Sequence, residues 1–244
     1  MLKVTNLSKV YEEKTVVDNI TFEAVDNRIY GFLGPNGAGK TTTIKMITGI
    51  LEIDDGDILI DNKSIINNSI EAKKQIGYVS DNPDMFLKLK GIEFLNFIAD
   101  IYEVPEDIRS KKIEELAKEF DIYDVLNEKI QSYSHGMRQK IIIASVLLHN
   151  PKNWILDEPL TGLDPKSSYF LKNKMKEHAR ANNTVFFSTH ILEIAEKICD
   201  RIGIINNGKI LFVGTLDELR EAKKENASLE ELFMEITKVN EENN

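Results

Sequence analysis

The chain has 244 residues, enough to bury one large core, and an open α/β sheet of this size is commonly a single domain. With 40 acidic against 31 basic side chains the formal charge is −9, which disfavours a nucleic-acid partner. Cys199 is the lone cysteine, so an internal disulfide and a multi-cysteine metal cluster are excluded and a reducing compartment is expected. In chain order, 2–11 and 15–24 read as strands, and Ile29-Tyr30-Gly31-Phe32-Leu33 as a buried one. Next comes Gly34-Pro35-Asn36-Gly37-Ala38-Gly39-Lys40-Thr41, and 41–47 reads as a helix. Strands follow at 56–61 and 75–80. The pattern then turns helical: in 91–103 the residues Phe94, Phe97, Ile98, Ile101 and Tyr102 are expected on one face, and 106–120 repeats the period around Ile113, Leu116 and Ala117. The apolar run 141–148 includes Ser145 and is far short of the roughly 18 residues that span a bilayer. With no signal-peptide pattern at the N-terminus, the protein is expected in the cytoplasm.

The β/α alternation resumes with the strand Trp154-Ile155-Leu156, a helix from Pro165, a strand at 184–188 and a helix from Ile191. Two short strands are expected around the Asn206-Asn207-Gly208 turn, then a helix at 215–222 and an amphipathic helix starting at Ser228. The last residues, 241–244, are polar and expected to fray. No internal repeat is present.

Strand, glycine loop and helix is the order that polyphosphate binding requires. Glycines let successive backbone N–H groups turn inward around the phosphates, and the helix adds its positive N-terminal end. Lys40 can then reach the outer phosphates, and the Thr41 hydroxyl can ligate Mg²⁺. The ligand expected on this ground is ATP or GTP.

The strand at 154–156 ends in Asp157-Glu158, followed by Pro159. Ligands of open α/β sheets lie at the carboxyl ends of the strands, so both acids can point into the phosphate site. Asp157 is suited to hold Mg²⁺ directly or through water, and Glu158 to polarise the water that attacks the γ-phosphate.

Between these sites stands Tyr133-Ser134-His135-Gly136-Met137-Arg138-Gln139-Lys140, which resembles the signature motif of ATP-binding cassette proteins, usually Leu-Ser-Gly-Gly-Gln. The order of the remaining pieces agrees with that family. Tyr11 looks like the aromatic residue that stacks on adenine, Leu163-Asp164 like the D-loop, and His190 after Ser188-Thr189 like the switch histidine. Asp164 before Pro165 also fits a helix N-cap, and both roles can coexist. The resemblance covers essentially the whole chain. It implies an α/β P-loop NTPase: a RecA-like core sheet, an N-terminal antiparallel β subdomain, a helical subdomain inserted at about 82–148, and a helical tail at about 215–240, all in one cassette domain, 1–244.

By that resemblance the nucleotide is ATP with Mg²⁺. Its contacts are Tyr11, Gly34, Pro35, Asn36, Gly37, Ala38, Gly39, Lys40, Thr41 and Thr42. The metal residues are Thr41, Asp157 and Asp81, and the catalytic ones Glu158, His190 and Lys40. Asp164 of the D-loop is a further nucleotide contact, and Ser134 and Gly136 serve a nucleotide held by a second cassette, packed head to tail. Three positions depart from the family pattern: His135 replaces a glycine, Met137 a glutamine, and Asp81 the glutamine that contacts the metal and the attacking water. If His135 faces the γ-phosphate, its protonation would make the site pH-sensitive; the favoured reading has it pointing away.

The family resemblance further implies an energy subunit bound to an integral-membrane permease and peripheral on the inner face of the membrane. Chromosome and repair members carry a long coiled coil between the nucleotide motifs, for which 41–133 leaves no room. Translation-type members usually fuse two cassettes, and a small phosphoryl transferase would lack the signature motif. The run 228–237 looks similar to the tails of efflux-type subunits of drug, antibiotic and lipid exporters, so export is expected.

Overall fold

In the computed structural model, which describes residues 1–223 and 228–241, two β-sheets face one another across a shared core. The first is antiparallel, ordered β2 (Lys14–Ala24), β1 (Leu2–Tyr11), β4 (Asp55–Ile60), β5 (Lys63–Ser64). In β1 the buried positions Leu2, Val4 and Leu7 turn inward, and alternation with exposed residues is broken at the bulges the register shows after Val4.

The second sheet has six strands: β10 (Lys209–Gly214), β9 (Arg201–Asn206), β3 (Arg28–Leu33), β8 (Thr184–Thr189), β7 (Asn153–Leu156) and β6 (Ile76–Val79). All pairs are parallel except the β10 edge. Strands β7 and β8 are buried along their whole length, as parallel strands covered on both faces must be. Phe22 of β2 stacks on Tyr30, Phe32 and Phe186 with ring centroids 5.4–5.6 Å apart, joining the sheets with Ile44, Met46 and Ile47 of α1 (Lys40–Ile47).

The turn between β9 and β10 reaches back to the first half of the chain. Asn207 and Gly208 both have positive φ, the two-residue turn that matches strand twist. The Gly208 N–H donates to the Ala38 carbonyl, and its own carbonyl accepts from the Asp18 N–H.

Three helices lie between β6 and β7: α3 (Gly91–Ile101), α4 (Glu106–Glu119) and α5 (His135–His149). On α4 the expected Ile113, Leu116 and Ala117 are all buried. The apolar face of α3 is buried only in part, with Ile98 half-buried against the core. Phe94 is buried, but its companions are Gly91, Leu95 and Ala99, whereas Phe97 and Ile101 are 43 % and 52 % exposed. The cause is close approach: a Cβ on Gly91 would lie 2.3 Å from the Tyr133 hydroxyl and 2.8 Å from Ile141. The helix therefore turns its narrow Gly91, Leu95, Ala99 stripe inward, at helical spacing, and leaves Ile101 exposed and Phe97 outside beside Phe86.

The short elements β5 and α2 (Ser69–Lys73) were not foreseen in the sequence. Helix α6 (Pro165–Arg180) follows β7, and α7 (Leu192–Ile198) follows β8. The helices α8 (Leu216–Lys223) and α9 (Leu229–Glu241) complete the fold. Both start with reciprocal caps: Thr215 with Glu218, and Ser228 with Glu231. Leu229 and Leu232 of α9 bury themselves with Ala195, Ile202 and Leu219. The end of the chain after 241, expected to fray, lies outside the described residues. Among the described residues no helix is long and apolar enough to cross a membrane.

Candidate functional site

The loop between β3 and α1 opens a cavity of about 260 Å³ at the carboxyl end of the parallel sheet. Asn36, Gly37, Gly39, Lys40, Thr41, Thr42, Asp81, Glu158 and Val16 line it. Gly37 and Gly39 have φ of 81° and 105°, and a Cβ on Gly39 would also lie 2.9 Å from the Val16 carbonyl. Only glycine takes that backbone without strain, the kind of turn in which successive N–H groups can face one anion. Pro35 and Gly34 close the loop through their carbonyls, which accept from the Lys40 ammonium at 3.1 and 2.8 Å. Ala38 is buried below, anchored by the Gly208 N–H.

Asp157 and Glu158 reach the site by different routes. The Asp157 N–H still donates to Val79 on β6, which extends the ladder one residue beyond β7. Glu158 then takes φ 47°, an uncommon backbone for a side chain that size, and this swings its carboxylate toward the loop. Its Oε1 lies 3.7 Å from the Lys40 Nζ and 3.0 Å from the His190 Nδ1. Burial pulls the Lys40 pKa below its ordinary value, opposed by the charges of Glu158 and Asp157. Burial pushes the Asp157 carboxyl upward, opposed by the Ser188 hydrogen bond and the nearby Thr41 hydroxyl and reinforced by the charges of Asp81 and Glu158.

Asp157 is fully buried, and its Oδ2 has no hydrogen-bond partner. An orphaned carboxylate oxygen beside the Thr41 hydroxyl, with Asp81 near enough to raise its pKa, is a donor set that a hard cation would satisfy. Among the described residues no three His, Cys, Asp or Glu side chains group as a complete cage. Mg²⁺ typically takes one or two carboxylates and shares the rest of its shell with phosphate and water.

A second group lies together but does not line this cavity. Ser134 caps α5, its Oγ accepting from the Met137 N–H at 3.3 Å, which leaves the hydroxyl hydrogen for another acceptor. Gly136 packs on the turn before α6, where a Cβ would lie 2.7 Å from the Gly162 carbonyl. His135 covers the same turn: a Cβ on Gly162 would lie 3.1 Å from its Nδ1. Asp164 caps α6 through the Ser167 N–H at 2.9 Å, and its Oδ2 lies 2.6 Å from the Lys140 Nζ. That ammonium, before the Ser167 bonds, holds the Asp164 carboxyl well below the usual range. Tyr11 stands apart at the β1–β2 hairpin, 44 % exposed, with the Lys9 ammonium 5.7 Å from its ring centre.

Two lining or supporting residues were missed in the sequence. Val16 sits in a strand whose pattern gives no sign of it. Ser188 is buried in β8; its hydroxyl donates to Asp157 Oδ1 at 2.5 Å and accepts from the Glu158 N–H at 3.0 Å.

The sequence profile of the ABC transporter family matches residues 17–161, more than half of the chain and inclusive of both motifs. The chain belongs to the ABC transporter family. It is an ATP-binding subunit with the family's ATPase domain. It is 35 % identical to the ABC-type transporter ATP-binding protein EcsA of Bacillus subtilis, over 98 % of this chain and 97 % of that protein. The linearmycin resistance ATP-binding protein LnrL of the same species is also 35 % identical, over 90 % of this chain and 70 % of LnrL. A solved ATP-binding subunit of an ABC transporter superposes with a TM-score of 0.92 at 34 % identity, covering 97 % of this chain and 99 % of that one. The fold is also that of a dimeric cassette solved in a post-hydrolysis state with ADP and phosphate, at a TM-score of 0.79 and 23 % identity, over 88 % of this chain and 99 % of that one.

Proposed function

We propose that this ABC ATPase hydrolyses Mg-ATP as one half of a head-to-tail pair of cassettes and drives a separate membrane permease that exports its substrate. The observation that carries the pairing is the division of the site. The cavity of the phosphate loop is walled by the loop, Asp81 and Glu158, whereas Ser134, Gly136 and Asp164 cluster elsewhere on the same chain. A partner cassette would bring its own Ser134 hydroxyl and the N-terminal end of its α5 to the open side. The post-hydrolysis neighbour is itself dimeric, which supports this reading.

Within one cavity, the loop amides from Gly34 to Thr42 cradle the phosphates and Lys40 neutralises the outer ones, giving up its two carbonyl bonds to do so. Tyr11 is assigned to stack on the adenine. Thr41, Asp157 and Asp81 would hold Mg²⁺, which would supply positive charge to neutralise the phosphates. Glu158 orients and polarises the attacking water. His190, 3.0 Å from that carboxylate, would fix its direction and pass to the γ-phosphate as the second cassette closes.

Contact with the permease is assigned to the helical block. Phe86, Phe97 and Ile101 are exposed side by side with Met85, an apolar face that a cytoplasmic helix of the permease would cover. On this reading the chain sits at the inner face of the membrane, held there by the permease. Export is favoured by likeness to the linearmycin resistance protein and by the α9 tail.

The test is the Glu158→Gln variant with Mg-ATP on a size-exclusion column. A nucleotide-dependent dimer is expected; a variant that stays monomeric at high concentration and with its permease present overturns the pairing.

A further inference from the structure

We propose that Ser188 is a positioning residue for ATP hydrolysis, setting the two adjacent carboxylates into their separate places. The idea rests on the roles assigned above to Asp157 and Glu158. The register of β7 and β8 ends at the pair Leu156 and Phe187, so Ser188 stands next across from Asp157 where regular pairing stops. One hydroxyl then performs two tasks. Its hydrogen goes to Asp157 Oδ1 at 2.5 Å, and a lone pair takes the Glu158 N–H at 3.0 Å.

Each bond has a consequence for the site. Holding Oδ1 fixes the rotation of the Asp157 carboxylate and leaves Oδ2 as the oxygen without a partner. Holding the Glu158 N–H stabilises the backbone at φ 47°, the turn that carries Oε1 to His190 and Lys40. Ser188 is itself 0 % exposed, so no water replaces it from the surface. Removing the hydroxyl would therefore leave a buried N–H and a buried carboxylate oxygen both unpaired. A hydrocarbon at 188 preserves the strand but loosens both acids.

The variants Ser188→Thr and Ser188→Val have the same shape and differ only in the hydroxyl, and Ser188→Ala adds a smaller residue. Turnover, KM for ATP, thermal unfolding, and the affinity for a fluorescent ATP analogue with and without Mg²⁺ are measured for each. Ser188→Val and Ser188→Ala are expected to lose roughly tenfold in kcat with KM within about twofold. Their Mg²⁺-free nucleotide affinity should match that of Ser188→Thr, while the gain in affinity on adding Mg²⁺ should shrink several-fold. Ser188→Thr should restore both.

The positioning role is overturned if Ser188→Val turns over as fast as Ser188→Thr. It is equally overturned if Ser188→Val loses Mg²⁺-free affinity and thermal stability in the same proportion as kcat, since that marks a general loss of structure. Asp157→Asn and Glu158→Gln are measured alongside. If those two keep full turnover, the assignment of the carboxylates fails first and the role of Ser188 with it; if they lose it and Ser188→Val does not, the fault lies with Ser188 alone.

Discussion

His190 Nδ1 lies 3.0 Å from Oε1 of Glu158, nearer than the Lys40 ammonium at 3.7 Å, so the imidazole is the closer partner of the carboxylate. Replacing the acid by Glu158→Gln should keep the fold and nucleotide binding while turnover falls about 100-fold or more. Phosphate release under saturating Mg-ATP measures this.

Lys40 has a structural duty before any nucleotide arrives, because its ammonium bonds the Gly34 and Pro35 carbonyls. Lys40→Ala should therefore abolish turnover and weaken ATP binding by about tenfold or more, since it removes both a phosphate contact and the brace that shapes the loop. Fluorescence titration with an ATP analogue checks the binding half of this expectation.

Asp164 caps the start of α6 through Ser167 and ties it to α5 through Lys140. Asp164→Ala should cost about 1 kcal/mol as a lost N-cap. Because the folded carboxyl is held below its ordinary value, its contribution is full above about pH 4 and declines as the pH falls further. The gap between wild type and variant in urea unfolding should thus close in acid. A gap that widens there would exclude the Lys140 contact as its source.

His178 titrates in the opposite chemical sense but with the same direction in pH. Its ring stacks on Trp154 at 3.9 Å and bonds the Lys152 carbonyl, and burial lowers its pKa to about 4. The unfolded chain takes up a proton near pH 6.5 while the folded one resists it, so stability declines as the pH falls from about 6.5 to about 4. Wild type should lose more stability than His178→Phe between pH 7.5 and pH 5 in urea titrations, since the phenyl ring keeps the stack and has no proton to bind.

The exposed face of the helical block gives a separable phenotype. Phe97 is 43 % exposed and touches Phe86 and not the nucleotide cavity. Phe97→Asp should leave the ATPase activity of the isolated subunit and its thermal unfolding within error of wild type, and should sharply reduce co-purification of the permease from solubilised membranes.

The loop from Gly34 to Thr41 was legible because its geometry is written in consecutive residues, and β3 and α1 on either side announce themselves by their own periods. The same holds for the Asn207-Gly208 turn and the Ser228 cap. Ser188 was illegible: its bonds to Asp157 and Glu158 join residues about thirty positions apart, and nothing in a strand of Thr, Val, Phe and Ser tells which hydroxyl reaches the two acids. Helix α3 shows a different limit. Hydrophobicity favours Phe97 and Ile101 as core, but the inward face is set by how near α5 can come, and Gly91 decides that. The Lys140 to Asp164 contact likewise depends on where two helices start relative to one another, which no local pattern contains.

The tip at Gly208 holds Asp18 on one side and Ala38 on the other, so the rear hairpin acts as a prop beneath the mouth of the phosphate loop. Lengthening that tip by a residue or two, far along the chain and touching no nucleotide, should slacken the grip on ATP as surely as a change within the loop itself.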